Sequence, residues 1–219
     1  MNMKTKFLFL TIYLIFITQL KAEKIPGYYL TGKLDTVRVA FDIPIVKIYK
    51  DSDIVDYHKL QSQVWYFDSY NVKNVLKPNL AMEYSFEFAG KRIRMISFKG
   101  IPHYDDKFLR LLIDGKLKLF GIYAKMGNTY PIYYNAVPRK GWSFGGIRIW
   151  RIDDLEFDAY LLLKNKVKTF FIRGTFPFRD DLIDYLSDCP KLTKKIKETE
   201  YHRADIPMIV KEYNTTCNK

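Results

Sequence analysis

The chain has 219 residues, 48% hydrophobic and 16% aromatic, and its 36 Lys and Arg outnumber 24 Asp and Glu for a formal net charge of +12. That length suits one domain able to bury roughly 70% of its unfolded surface. The two cysteines, Cys189 and Cys217, lie far apart with His202 between them, which argues against a zinc site, and no segment has the ligand spacing of a calcium loop.

Residues 1–22 read as a secretory signal peptide: Lys4 and Lys6, the apolar stretch Phe7 to Ile17, then Leu20-Lys21-Ala22, where a small residue permits cleavage. The apolar stretch is about half of the roughly 20 residues a membrane span needs. Cleavage after Ala22 leaves residues 23–219 as a single α+β domain with no transmembrane segment, and no cysteine near the cleavage point offers a lipid-anchor acceptor. The expected location is therefore secreted, in the periplasm or at the cell surface. Loss of Lys4, Lys6 and Lys21 leaves the chain basic. Outside the cell that charge meets anionic lipid, acidic polysaccharide or acidic protein surfaces, so nucleic acid is not an expected partner.

From about residue 25 to 175, short runs of Val, Ile, Tyr, Phe and Trp alternate with period two between turn residues, the pattern of an antiparallel sheet in hairpins, barrel-like or sandwich-like. Tyr28 to Leu30 and Thr36 to Phe41 flank Gly32 and Asp35 as a first hairpin, and Pro44 limits its continuation. Tyr84, Phe86 and Phe88 lead through Ala89-Gly90 into Ile93 and Met95. Phe108 to Ile113 and Lys116 to Phe120 flank Asp114-Gly115, a dipeptide suited to a type I′ turn. There Leu117 and Leu119 oppose Lys116 and Lys118, which predicts one wet face. Further strands are expected near Tyr130 to Asn135, Ile147 to Ile152, Glu156 to Leu163 and Lys168 to Ile172.

From residue 177 to 217 the period changes to 3.6, and three short helices are expected. Leu182, Ile183 and Leu186 share a face of the first. Pro190 begins the second, capped by Asp188 or Cys189 and buried through Leu192 and Ile196. Asp205 and Pro207 open the third, with Ile206, Ile209, Val210 and Tyr213 inward. In an oxidising compartment the even pair Cys189 and Cys217 is readily a disulfide, stabilising the fold by roughly 3 to 4 kcal/mol. Asn214-Thr215-Thr216 matches an N-glycosylation acceptor at what otherwise reads as a frayed helix end.

Catalytic patterns are thin. Gly141-Trp142-Ser143-Phe144-Gly145 has the form of a nucleophile elbow with His202 downstream, yet Pro138-Arg139-Lys140 precedes it and strand alternation follows, where an elbow needs a strand and then a helix. His103, Asp105 and Asp106 crowd one loop, and Asp153, Asp154, Glu156 and Asp158 another; such clusters supply turn formers and solvated charges as well as acid pairs. Tyr130, Tyr133, Tyr134 and Trp142 form the densest aromatic group outside a clear core pattern, a candidate ligand surface for stacking, or an ordinary set of cross-strand pairs. No cofactor or metal site is expected.

Several segments resemble a family of exported proteins common in Bacteroidetes, sometimes fused to an outer-membrane barrel domain. The likeness lies in Gly32-Lys33-Leu34-Asp35-Thr36-Val37, Leu76-Lys77-Pro78-Asn79, the hairpin Phe108 to Leu119, and above all Leu182 to Cys217, with Leu182-Ile183-Asp184-Tyr185-Leu186-Ser187-Asp188-Cys189-Pro190-Lys191-Leu192, Asp205-Ile206 and Ile209-Val210-Lys211-Glu212-Tyr213-Asn214. The opening departs from the family's usual Gly-Asp-Thr. These are packing and turn signatures, and the resemblance carries no active-site residue. The leading expectation is an exported, non-enzymatic binding or assembly module that contacts an envelope protein or glycan. Its alternatives are a secreted hydrolase using Ser143 with His202 or a pair among Asp105, Asp106, Asp153 and Asp154, and, from the resemblance alone, an accessory domain of an outer-membrane barrel.

Overall fold

The computed structural model describes residues 23–49, 52–100, 105–123, 157–165, 168–173, 179–198, 201 and 205–217. The strands are β1 (Glu23–Thr31), β2 (Thr36–Ile43), β3 (Ile45–Tyr49), β4 (Ser52–Val55), β5 (Val64–Phe67), β6 (Lys73–Leu76), β7 (Ala81–Phe88), β8 (Lys91–Phe98), β9 (Lys107–Ile113), β10 (Leu117–Tyr123), β11 (Phe157–Lys164) and β12 (Lys168–Arg173). The helices are α1 (Tyr57–Ser62), α2 (Arg179–Tyr185), α3 (Pro190–Glu198) and α4 (Ile206–Thr216). The fold is α+β and mainly antiparallel sheet. Ten strands form one sheet in the order β12-β11-β10-β9-β8-β7-β1-β2-β5-β6, and β3 and β4 pair separately.

Topology follows from local chemistry. Strands β7 to β10 pair in sequence order as an antiparallel meander, while β1 inserts beside β7 and carries the hairpins β1-β2 and β5-β6 to the other edge. Ala89 and Gly90 both take positive φ, 50° and 70°, in the β7-β8 turn. Pro44 ends β2, and its carbonyl accepts from Asp56 N at 2.9 Å, which ties the β3-β4 excursion back at the start of α1. Asp56 caps that helix through Oδ1, which accepts from Lys59 N at 3.3 Å.

All four helices lie on one face of the sheet. Under α1 the core holds Phe41, Ile43, Tyr84, Phe86, Met95 and Phe108, with Leu60 from the helix itself. Tyr84 meets Phe108 edge-on at 4.7 Å and donates from its hydroxyl to Leu60 O at 2.9 Å, so a fully buried phenol is both packed and satisfied. Burying each such ring contributes about 1.5–3 kcal/mol. Further along the same face, Leu117, Leu119, Leu162 and Ile172 pack under α2, α3 and α4 through Leu182, Leu186, Leu192, Ile196, Ile209 and Val210.

Gly27 on β1 makes room for the first cluster: a Cβ there would stand 2.3 Å from Ser85 O and 2.8 Å from the Phe41 ring. The Cys189–Cys217 disulfide, Cα to Cα 5.6 Å, joins the start of α3 to the end of α4. Lys164, buried on β11, donates to Tyr185 O at 2.6 Å and Asp188 Oδ1 at 2.9 Å, and Tyr213 donates to Asp188 Oδ2 at 2.6 Å. Asp188 therefore locks helices to sheet, while Cys189 caps α3 through its carbonyl, which accepts from Leu192 N and Thr193 N.

Three expectations need revision. The β9-β10 turn is not type I′: Gly115 has φ 159°, and Asp114 does not take positive φ. Glycine serves a different purpose there, since a Cβ would come within 2.5 Å of Asn214 Nδ2. The far face of β10 is not wet either, because Phe120 and Ile122 join Leu109, Ala159 and Leu161 in a third buried cluster. And Asn214 does not fray: it sits within α4, with Nδ2 donating to Leu117 O at 2.8 Å, so the nitrogen that would carry a glycan is engaged.

Candidate binding face on the outer side of the sheet

Most residues singled out from sequence for chemistry, Ser143, His202, Asp153, Asp154, Tyr130, Tyr133, Tyr134 and Trp142, lie outside the described residues, as does His103. Asp105 and Asp106 are described and exposed just before β9, where Asp106 Oδ1 accepts from Gly100 N at 3.3 Å. Gly100 itself has φ 65°, a conformation that glycine adopts without strain. Among the described residues, no group of three or more His, Cys, Asp or Glu is arranged to hold a metal ion, and no helix is long and apolar enough to cross a membrane.

A different surface emerges from strand alternation. Ile25, Phe41, Ile43 and Val64 point into the α1 core, so the intervening residues of β1, β2, β5 and β6 face outward. The registers Phe67↔Lys73, Ala40↔Phe67 and Pro26↔Ala40 set one row across four strands. Trp65↔Val75, Asp42↔Trp65 and Lys24↔Asp42 set the next. Beyond them Tyr28 lies opposite Arg38. Trp65 is 42% exposed and Tyr70, at the β5-β6 turn, 86%.

Cations cover these rings. Lys24 Nζ stands 3.7 Å from the Phe67 centroid, Lys73 Nζ 5.3 Å from Trp65 and 5.8 Å from Phe67, and the Arg92 guanidinium 5.4 Å from Tyr28. At such exposure each contact contributes about 0.5–1 kcal/mol. Their positions are set from beneath. Asp42 accepts Lys73 at 2.6 Å, and Arg92 donates to the Tyr28 hydroxyl.

Asp68 orders the β5-β6 turn, its Oδ1 accepting from Tyr70 N and Val72 N at 2.9 Å each. The turn holds Asn71 at φ 59°, and Asn71 Oδ1 accepts from Lys24 Nζ at 3.0 Å. One short turn thus both displays Tyr70 and poises Lys24.

Acids on the same face are few and paired. Glu83 grips Arg94 through two bonds of 2.8 Å, and Arg94 reaches on to Asp114 Oδ2 at 2.8 Å. Hydrogen bonding from Lys118, together with its charge and a further hydrogen bond from Arg94, holds the Asp114 carboxyl below its ordinary value against the opposing effect of burial. Glu87 is exposed opposite Arg92. Sequence reading passed over this face because strands β5 and β6 are only four residues each, too short for alternation to stand out. The available signal was the alternation of Lys24, Pro26 and Tyr28 with Ile25 and Tyr29.

The fold and face together define an antiparallel sheet protein with one helix-covered side and an aromatic, cationic patch on the other. Compared with protein-family models, curated proteins and solved structures, the chain finds no match.

Proposed function

We propose that this chain is an exported, non-enzymatic module of the periplasm or cell surface that binds an envelope component through the outer face of β1, β2, β5 and β6. The observation that carries this reading is the exposed Trp65 with Phe67, Tyr28 and Tyr70, interleaved with Lys24, Lys73 and Arg92. A soluble protein gains little by displaying Trp and Tyr, whereas both are favoured at binding surfaces. The Cys189–Cys217 disulfide supports the oxidising compartment that export implies.

The test is retention of the processed protein on the native envelope fraction, compared between wild type and Trp65→Ala. Selective loss in the variant, with its thermal midpoint unchanged, is the expected result. Equal retention of both removes this face from the function.

A further inference from the structure

We infer that the ligand of this face is an acidic polysaccharide, its sugar rings stacked on Trp65 and Phe67 and its anionic groups paired with Lys24, Lys73 and Arg38. The inference rests on the binding-module reading above and names the ligand's class.

Shape favours an extended polymer. The two cross-strand rows lie on open sheet, and each crosses four strands, about 14 Å at ordinary strand spacing. In one row, Pro26 and Ala40 make a low floor beside Phe67, closed by Lys73. In the other, Trp65 and Asp42 lie between Val75 and Lys24. Aromatic platforms with cations at opposite ends suit a chain that alternates apolar ring faces with negative charge.

The lysines are arranged to exchange partners. Lys24 and Lys73 rest over ring faces, at exposed positions where cation–π contact is weak, so a sugar ring takes the aromatic face and the displaced ammonium takes the sugar's carboxylate or sulfate. Arg38 is exposed one row further along β2, opposite Tyr28. The acids of this face do not reverse the balance: the Lys73 ammonium has three donors and can keep Asp42 while it takes a ligand anion, Glu83 is held by Arg94, and Glu87 is left as the exposed one. Single-stranded nucleic acid would satisfy similar chemistry, but the disulfide argues for a compartment where that polymer is scarce.

The experiment measures binding of the processed protein to four probes: alginate, neutral dextran, an oligothymidine strand and phosphatidylglycerol vesicles. Alginate is expected to bind tightest. Trp65→Ala and the pair Lys24→Ala with Lys73→Ala should each weaken alginate binding by about tenfold or more, as for a central contact. The pair Lys191→Ala with Lys194→Ala on α3 removes equal charge elsewhere and should change it less than about twofold. Thermal midpoints and near-ultraviolet dichroism verify that each variant folds.

Equal weakening by the α3 pair overturns the inference, since binding would then be diffuse attraction. So does tighter binding to dextran, oligothymidine or vesicles, or no binding to alginate. Should alginate fail while Trp65→Ala still loses retention on the native envelope, the ligand class falls and the binding module stands. Loss of both results removes both.

Discussion

Gln61 completes the end of β10 with its side-chain amide: Tyr123 N donates to Gln61 Oε1 at 2.8 Å, and Gln61 Nε2 donates to Tyr123 O at 2.9 Å. Asn214 does the same at the other end, its Oδ1 accepting from Leu117 N at 2.9 Å and its Nδ2 donating to Leu117 O. A central strand is thus held at its first and last residues by helices α4 and α1. Between the two helix-covered clusters, Arg110 donates to the Tyr123 hydroxyl at 2.8 Å and stacks on Tyr57 at 4.2 Å.

Gln61→Leu removes both amide hydrogen bonds to the backbone N–H and C=O of Tyr123, at about 1–3 kcal/mol per group. The expected loss is about 2–4 kcal/mol in urea unfolding, and Asn214→Ala should cost somewhat less because that site is only partly buried. A loss below about 0.5 kcal/mol for Gln61→Leu would show that water or another group replaces the amide.

Gly27→Ala tests a sign. In an ordinary strand interior alanine is favoured over glycine by about 0.5–1 kcal/mol. Here the added Cβ meets Ser85 O, a backbone atom that cannot swing aside. Destabilisation of about 1–3 kcal/mol is expected from thermal or urea midpoints.

Cys189 and Cys217 close a loop of sequence separation 28. Replacing both with serine should lower unfolding free energy by about 3–4 kcal/mol, and the wild type should show no free thiol when denatured without reductant.

The acid limb of stability should carry the signature of Asp188. Burial alone would raise its carboxyl, but hydrogen bonds from Tyr213 and Lys164 outweigh that and hold it below the ordinary 3.8. A folded value below the unfolded one contributes stability that is complete above the unfolded value and lost as pH falls through the folded one. Urea midpoints between about pH 6 and about pH 3 should fall less steeply in Asp188→Asn than in wild type.

The alkaline limb runs oppositely. Burial pushes the phenols of Tyr84 and Tyr123, and to a lesser degree Tyr57, above their ordinary 10.0. Their contribution is complete below that value and declines as pH rises beyond it. Phenolate absorbance for these residues should appear together with unfolding rather than before it.

Alternation and helical spacing made β1, β2, β7 to β12 and the three C-terminal helices legible, because each buries at least one continuous face. The α1 helix escaped notice: it has six residues, and its one local signal is Asp56 ahead of Tyr57. Strands β3 to β6 are similarly short. The β9-β10 turn read as Asp-Gly chemistry although Gly115 answers to Asn214, a contact 99 positions removed that no local pattern reports. The second buried face of β10 was hidden for a related reason, since Lys116 and Lys118 precede Phe120 and Ile122 and only the first half of the strand alternates with charge. The outer face was invisible as a site because its residues come from four strands and meet only through sheet order.

Hydroxyl-radical footprinting of the protein with the native envelope fraction tests the central claim most directly. Trp65 on the outer face, Tyr70 at the adjoining β5-β6 turn and Met208 on α4 are all solvent-accessible in the free protein, so each reports on its own surface. Protection of Trp65 and Tyr70 with Met208 unchanged is the predicted result. Protection of Met208 with Trp65 and Tyr70 still fully reactive would contradict it.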